Sequence, residues 1–325
     1  MAYCSRLIGF GGCLPERIVT NQELSETVDT SDEWIRERTG IHQRHIISGN
    51  ETCTSLAVNA AKQAMEYAGL TVDDIDAIIV ATCTPDQVFP TTAARVQQIL
   101  GIKKGFAFDI SSACAGFVFG LSVADNFIRN GQAKNVLLIG SEVYSRILDW
   151  SDRRTCVLFG DGAGAVILSA EEIQNTAKQD KGILGVYLHT DGSYGDLLYV
   201  DGIPSRTEDS CFVRMHGQEV FRHAVTKLSE VVEEALKANN LQHEDIDWLV
   251  PHQANLRIIA GMGKKLHLSS DRVIVTVDRH ANTSAASVPL ALNEAVRDGR
   301  IQKGDLIVIE ALGGGLSWGS SLIRL

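Results

Sequence analysis

The sequence predicts an α/β protein built from two similar halves, and three observations carry that reading. Apolar runs of strand length alternate with longer amphipathic stretches, the rhythm of βα units. EDIDWLV (244–250) repeats the pattern of VDDIDAIIV, with Asp74 and Asp245 offset by 171 (245 − 74). AVRDGRIQKGDLIVIE (295–310) resembles FIRNGQAKNVLLIGSE, and there Gly131 and Gly299 are offset by 168 (299 − 131). The repeat implies two related αβ halves, 1–172 and 173–325, packed about a pseudo-twofold axis. The second offset places Asn282 opposite Cys114 (282 − 114).

In chain order, Leu7 to Phe10 predicts a first strand, closed by the turn residues of GGCLPE. Ser31 is a helix cap for a segment carrying Trp34, and 52–69 is an amphipathic helix stopped by Gly69. A strand at 76–82, a loop holding Pro85 and Pro90, and a helix at 91–100 follow. Gly105 to Ile110 is a short apolar run with aromatic residues, a buried strand. From Ala113 the chain is small and apolar up to Gly131, which predicts a helix with Ser111 and Ser112 as caps. Strands are expected at 135–142 and, after a Gly-rich turn, within 159–169. The polar stretch 171–181 reads as the most linker-like part, and 201–211 as a surface loop before a helix beginning near His216. Strands at 244–250 and 272–277 come next, the latter feeding a small-residue helix from HANTSAAS (280–287).

The 325 residues carry a formal charge of −10, which argues against a nucleic-acid surface as the main business. Seven scattered cysteines without a CxxC pair point to free thiols in a reducing compartment. No apolar run approaches the roughly 18 residues of a membrane span, and MAYCSRLIGF lacks a signal-peptide plan. These features lead to the expectation of a cytoplasmic protein.

Three segments hold residues suited to chemistry. Cys114 falls in a first helical turn, where the helix dipole favours thiolate, among neighbours small enough to admit a slender chain. His252 follows directly on a predicted buried strand in VPHQANLR, and Asn282 lies in RHANTS. Loops at one end of a parallel sheet are where αβ proteins place their sites. A thiolate with a histidine and an amide suits acyl chemistry: one nucleophile, and donors for a carbonyl oxygen. LGGGLSWG (312–319) adds three successive glycines whose N–H groups lie open to a substrate. Taken singly, each has a structural reading: a buried thiol, a hydrogen-bonded histidine, a helix cap, a tight turn. A dinucleotide site is disfavoured, because neither GFGG (9–12) nor GDGAG (160–164) forms a GxGxxG between strand and helix.

DISSACAGF, VPHQANLRI, DRHANTSAAS and EALGGGLSWG, in that order, resemble β-ketoacyl-acyl carrier protein synthase III, over essentially the whole chain. The resemblance implies the thiolase fold, with two αβ halves in a layered αβαβα core, and a homodimer. It implies that Cys114 takes an acyl group, in the usual case acetyl, from acyl-coenzyme A. The N–H groups of Cys114 and Gly314 would form the oxyanion hole. His252 and Asn282 would bind the thioester carbonyl of malonyl-acyl carrier protein and stabilise the enolate left by loss of carbon dioxide. Neither a metal nor a redox cofactor is implied. The coenzyme A site would use Trp34, Arg38, Arg153, Phe221 and Asn255, with Phe89 closing the partner's acyl pocket. Gln253, Ala254, Asn255, Leu256 and Arg257, with Arg222, Lys264 and Lys265, would receive the acidic carrier protein. The family often has glycine at Ala281, so the loop before Asn282 is expected to sit slightly differently. Rival readings are a condensing enzyme of secondary metabolism, a cysteine hydrolase or plain acyltransferase, and a noncatalytic carrier-protein binder.

Overall fold

The computed structural model describes residues 2–173, 180–202 and 211–325. The stretches 171–181 and 201–211 therefore lie partly outside the described residues. A first sheet contains β1 (Ala2–Cys13), β2 (Ala77–Ala81), β3 (Phe106–Ile110), β4 (Asn135–Val143) and β5 (Asp161–Ile173), in the order β1-β5-β4-β2-β3. β2 is parallel to β3 and β4, whereas β5 runs antiparallel to β1 and β4. A second sheet has β6 (Gly182–Thr190), β7 (Trp248–Pro251), β8 (Leu306–Gly313) and β9 (Ser317–Arg324), in the order β7-β8-β9-β6.

The longer helices are α1 (Asp32–Thr39), α2 (Cys53–Ala68), α3 (Thr92–Leu100), α4 (Gly116–Arg129), α5 (Gly217–Asn239), α6 (Leu256–Lys265) and α7 (Ser287–Arg297). Strand alternation sorts the apolar residues into layers. Leu138 of β4 and Ile307 and Ile309 of β8 turn inward onto Phe117 and Leu121 of α4 and Leu292 of α7. Ile139 of β4 turns outward under Leu56 and Ala60 of α2, and Val308 of β8 turns outward under Leu228 of α5 and Met262 of α6. The result is the five-layered αβαβα order expected of the thiolase fold. Helix ends follow the sequence signals: Ser31 accepts from Trp34 N at 3.1 Å, and Gly69 and Gly101 close α2 and α3 in the left-handed region.

Three expectations are corrected. The two halves superpose at an offset of 171 around the site, not 168. Asp76 pairs with Asn135 as Asp247 pairs with Leu306, and Ala113 (φ 46) corresponds to Ser284 (φ 50). Helix α4 has 14 residues and α7 only 11, so the offset falls to 168 at the helix ends, and a longer turn restores it. The counterpart of Cys114 is therefore Ala285, and that of Asn282 is Ser111.

The segment 272–277 is not a strand. Val273 makes a single bridge to Leu249, after which the amide of Gln253 takes the place of a neighbouring strand. Its Nε2 donates to Pro251 O and Ile274 O (2.8 and 3.1 Å), and its Oε1 accepts from Thr276 N and Val277 N (2.7 and 3.0 Å). With its backbone groups already paired, the chain turns into the short helix Val277–His280. Finally, no side chain caps the turn at Cys114. Positive φ at Ala113 moves the Ser112 hydroxyl out of capping geometry, and only its carbonyl is used, by Ala115 N at 3.1 Å.

Candidate active site

Strand β3 delivers the chain to a three-residue turn, Ala113–Ala115, which runs on into α4. The turn packs against the end of β8 so closely that a Cβ on Gly313 would lie 2.6 Å from Cys114 N. Only glycine permits that approach. On the other side Gly140 plays the same part, since a Cβ there would sit 2.2 Å from Ala285 O. The two turns, one from each half, are thereby clamped beside each other.

Cys114 is almost wholly buried, and burial pushes its thiol up to about 11; the hydroxyls of Ser284 and Tyr144 act downward and the Glu142 charge upward. The expectation of a depressed thiol is thus overturned at rest. A helix end favours the anion, but enclosure in an apolar cavity weighs more.

His252 continues β7, its N–H donating to Glu310 O at 2.8 Å. Its Nδ1 lies 2.6 Å from Ser287 Oγ, the first residue of α7. The same oxygen accepts from Gln253 N at 3.2 Å. With the Ser287 hydroxyl donating to Nδ1, the ring hydrogen is on Nε2, free to donate into the cavity. Burial lowers the His252 pKa to about 4, so the ring is neutral at pH 7. It is a neutral donor, held by a serine that sequence reasoning missed.

Asn282 is held by its backbone, N to Leu158 O and O to Gly160 N, both at 3.0 Å. Its Oδ1 accepts from Ser284 N at 2.9 Å, which leaves Nδ2 as the donating end. Ala281 just before it has φ 58 and ψ −160. The alanine adopts a backbone conformation that otherwise belongs to glycine, so the backbone strain expected of a non-glycine residue falls at this position.

Cys114, His252 and Asn282 line one cavity of about 100 Å³, walled by apolar residues such as Phe159, Leu198, Leu228 and Leu312. Met215, Gly217, Phe221 and Asn255 also line an outer cleft of about 630 Å³, which carries Trp34, Arg38, Arg154 and Arg257. A narrow apolar channel therefore opens into a broad basic mouth.

Of the other sequence-predicted residues, Arg153 does not line the mouth; its guanidinium lies over the Trp34 ring at 5.4 Å. A ring sandwiched between them needs about 7 Å, twice a van der Waals contact, so the pair must open to admit one. Arg154 occupies the cleft wall instead. Gln253 is fully buried with its amide committed to backbone groups, so its side chain is no docking contact. Ala254 lines the inner cavity, and Asn255 caps α6 while donating to Arg38 O at 3.1 Å. Leu256, Arg257, Arg222, Lys264 and Lys265 are exposed on α5 and α6, and Arg257 also lines the mouth. Phe89 is 82% exposed and does not line the cavity of its own chain. Gly314 follows Gly313 in the turn between β8 and β9. Among the described residues no group of three metal-binding side chains occurs, and no helix is long and apolar enough to cross a membrane.

Comparison with known proteins gives a consistent picture. The family model described as 3-oxoacyl-[acyl-carrier-protein] synthase III matches residues 108–192, and the model of its C-terminal part matches 236–325. The beta-ketoacyl-[acyl-carrier-protein] synthase III of Acidiphilium cryptum is 60% identical over 98% of both chains. That of Granulibacter bethesdensis is 59% identical over 99% of both. Among solved structures, 3-oxoacyl-[acyl-carrier-protein] synthase III from Aquifex aeolicus superposes with a TM-score of 0.93 at 45% identity, covering 99% of this chain and 100% of that one. The priming β-ketosynthase of the R1128 polyketide pathway gives 0.93 at 34% identity, covering 99% and 97%.

Proposed function

The chain belongs to the β-ketoacyl-[acyl-carrier-protein] synthase III family, and from that premise we propose how its own residues divide the reaction. It is an acyl-transferring enzyme, the initiating condensing enzyme of fatty acid synthesis. Its substrates are an acyl-coenzyme A and malonyl-acyl carrier protein. The observation that carries the assignment is the meeting of Cys114, His252 and Asn282 in one narrow apolar cavity.

In the first half-reaction Cys114 attacks the acyl thioester and displaces coenzyme A. The N–H groups of Cys114 and Gly314 receive the oxyanion, close packing at Gly313 bringing the two backbones together. In the second, Nε2–H of His252 and Nδ2 of Asn282 donate to the malonyl thioester oxygen. Decarboxylation leaves an enolate on that oxygen, and two fixed donors in a dry site stabilise it. Its carbon attacks the acyl-cysteine and releases the β-ketoacyl product. The neutral state of His252 suits a donor. Neither a metal nor a redox cofactor enters the scheme.

The basic mouth fits the phosphates of coenzyme A and of the carrier's prosthetic arm, with Trp34, Arg38, Phe221 and Asn255 as contacts, Arg154 added from the structure, and Arg153 joining once it opens from the Trp34 ring. Arg222, Arg257, Lys264 and Lys265 pair with no carboxylate among the described residues, on a chain of charge −10. With exposed Leu256 and the Ala254–Asn255 turn they form the docking face for the acidic carrier protein. The homodimer is supported by the open edge strand β3 and by exposed Val88, Phe89, Ile99 and Phe106 beside it. Phe89 would then reach the partner's acyl pocket. The seven free cysteines support a cytoplasmic location. The halves 1–172 and 173–325 are the proposed domain division, each supplying one sheet.

Intact-protein mass spectrometry with a panel of acyl-coenzyme A donors tests this reading. One acyl group is expected on Cys114 by peptide mapping, absent in Cys114→Ser, and consumed when malonyl-acyl carrier protein is added. Acetyl as the best donor places the enzyme at the start of ordinary fatty acid synthesis. A longer, branched or aromatic donor favours a secondary pathway, as in the polyketide-priming relative. An adduct that hydrolyses without consuming malonyl thioester indicates a hydrolase, and an unmodified Cys114 returns the chain to a binding role.

A further inference from the structure

Behind Cys114, on the side away from the cavity, stands a carboxyl group that the scheme above leaves unused. Glu142 ends the inward-facing row of β4 and is completely buried. Its Oε2 accepts three hydrogen bonds: Thr84 Oγ1 at 2.6 Å, Cys83 N at 3.1 Å and Thr82 Oγ1 at 3.3 Å. Its Oε1 accepts one, from Ser284 Oγ at 3.1 Å. Ser284 in turn faces the Cys114 sulfur, as does Tyr144, whose hydroxyl is 3.2 Å from Ser284 Oγ. The serine has a single proton and the carboxylate takes it, so Ser284 Oγ remains an acceptor towards the thiol. Ser284 holds this place with φ 50, a left-handed conformation that costs a non-glycine residue free energy. A thiol, a hydroxyl and a carboxylate thus neighbour one another in succession, the hydroxyl already bonded to the carboxylate.

We propose that Ser284 and Glu142 are the proton relay of Cys114. As the sulfur attacks the acyl thioester, the thiol proton passes to Ser284 Oγ while the Ser284 proton passes to Glu142 Oε1. The new S–C bond forms, the bond to coenzyme A breaks, and coenzyme A leaves as a thiolate that takes a proton from water. In condensation the enolate carbon displaces Cys114 as a thiolate, and the proton stored on Glu142 returns through Ser284. The two half-reactions then balance, with one proton taken from solvent per turnover and the cysteine restored as thiol.

The surroundings suit this task. The titratable groups facing Glu142 are Cys53 from α2, Cys83 from the loop after β2, Cys114 and Tyr144, and all four are held protonated: Cys53 and Cys83 near 12, Cys114 near 11, Tyr144 well above its ordinary value. Burial raises Glu142 to about 7, so it alone of this group exchanges a proton near neutrality. His252 lies across the cavity and is already committed as a donor.

The inference rests on Cys114 being the acylated residue, and the test separates the two. Acylation of full-length wild type, Glu142→Gln and Ser284→Ala by acetyl-coenzyme A is followed by rapid quench and mass spectrometry from pH 5.5 to 9. Malonyl thioester decarboxylation is measured on the same samples. The wild-type rate should rise through pH 7 and level, because the relay needs the carboxylate. Both variants should be slower by about 10²-fold at pH 7 and keep climbing towards pH 9, where hydroxide replaces the relay. Their decarboxylation should stay within about threefold of wild type, as the donors His252 and Asn282 are retained. Acylation within about threefold of wild type with an unchanged pH profile overturns the relay. So does parallel loss of both half-reactions with the profile unchanged, which marks a structural role. If Glu142→Gln does not fold, Ser284→Ala decides alone. A wild-type Cys114 that stays unmodified removes the acyl-enzyme reading itself, an outcome distinct from any result on the variants.

Discussion

At Ala113–Ala115 and again at Ser284–Ala286 the chain makes the same move. A residue with φ near +50 is followed by one 3-10 turn and then a helix that fills the central layer. The two crossings lie side by side, clamped by Gly313 and Gly140, yet their side chains do different work. The first presents a thiol among alanines and a glycine. The second presents no nucleophile: Ala285 stands where the cysteine would be, and its neighbours serve residues elsewhere. Ser284 faces the thiol, its N–H orients Asn282, and the Ser287 hydroxyl bonds Nδ1 of His252. One backbone design, used twice, has become a reacting half and a supporting half.

That division can be sharpened by removing supports while leaving the reacting groups in place. Ser287→Ala takes away the hydrogen bond that keeps the His252 proton on Nε2. Loss of one buried hydrogen bond of about 1.4 kcal/mol corresponds to roughly a tenfold fall in decarboxylation of the malonyl thioester. Acylation of Cys114 should barely change, and a steady-state comparison of the two partial reactions checks this. Equal loss in both would mean that Ser287 does not act on the second reaction through His252.

A smaller effect is expected at Ala281, where the supporting half carries backbone strain next to Asn282. Its conformation costs about 1–3 kcal/mol, and glycine returns about 0.4–1 kcal/mol of that through unfolded-state entropy. Ala281→Gly should therefore stabilise the fold by about 1 kcal/mol, raising Tm by roughly 1–2 °C in calorimetry. An unchanged or lower Tm would show that the loop carries no net strain.

The sequence made the architecture readable because its local signals agree with its tertiary fate. Gly69 and Gly101 end helices in the left-handed region, Ser31 caps one, and the apolar runs of β2, β4 and β8 are buried on both faces. It misled where one side chain replaces a regular element. RVIVTV has the composition of a strand, but the amide of Gln253 uses up the backbone groups that a ladder would have paired. The 168 offset misled for a related reason, since one missing turn in α7 is repaid in the next loop and neither change shows in a local match. At the site, Cys114, His252 and Asn282 were legible from type and context, and the family resemblance joined them. Ser284, Ser287 and Glu142 were not. Serines in a run of small residues carry no signal, although a glutamate closing the apolar run NVLLIGSE is a buried charge that calls for a partner. The depressed thiol was also misjudged, because helix polarity can be read from sequence and burial cannot.

The most direct test of this division of labour measures the two half-reactions separately in His252→Ala and Asn282→Ala. Acylation of Cys114 is read by intact mass, and carbon dioxide release from malonyl-acyl carrier protein by label. Both variants are expected to acylate within about threefold of wild type and to lose decarboxylation by about 10²–10³-fold, the cost of one donor to a developing oxyanion. Condensation at the wild-type rate by either variant, or loss of acylation in step with decarboxylation, would contradict the separation of a reacting half from a supporting one.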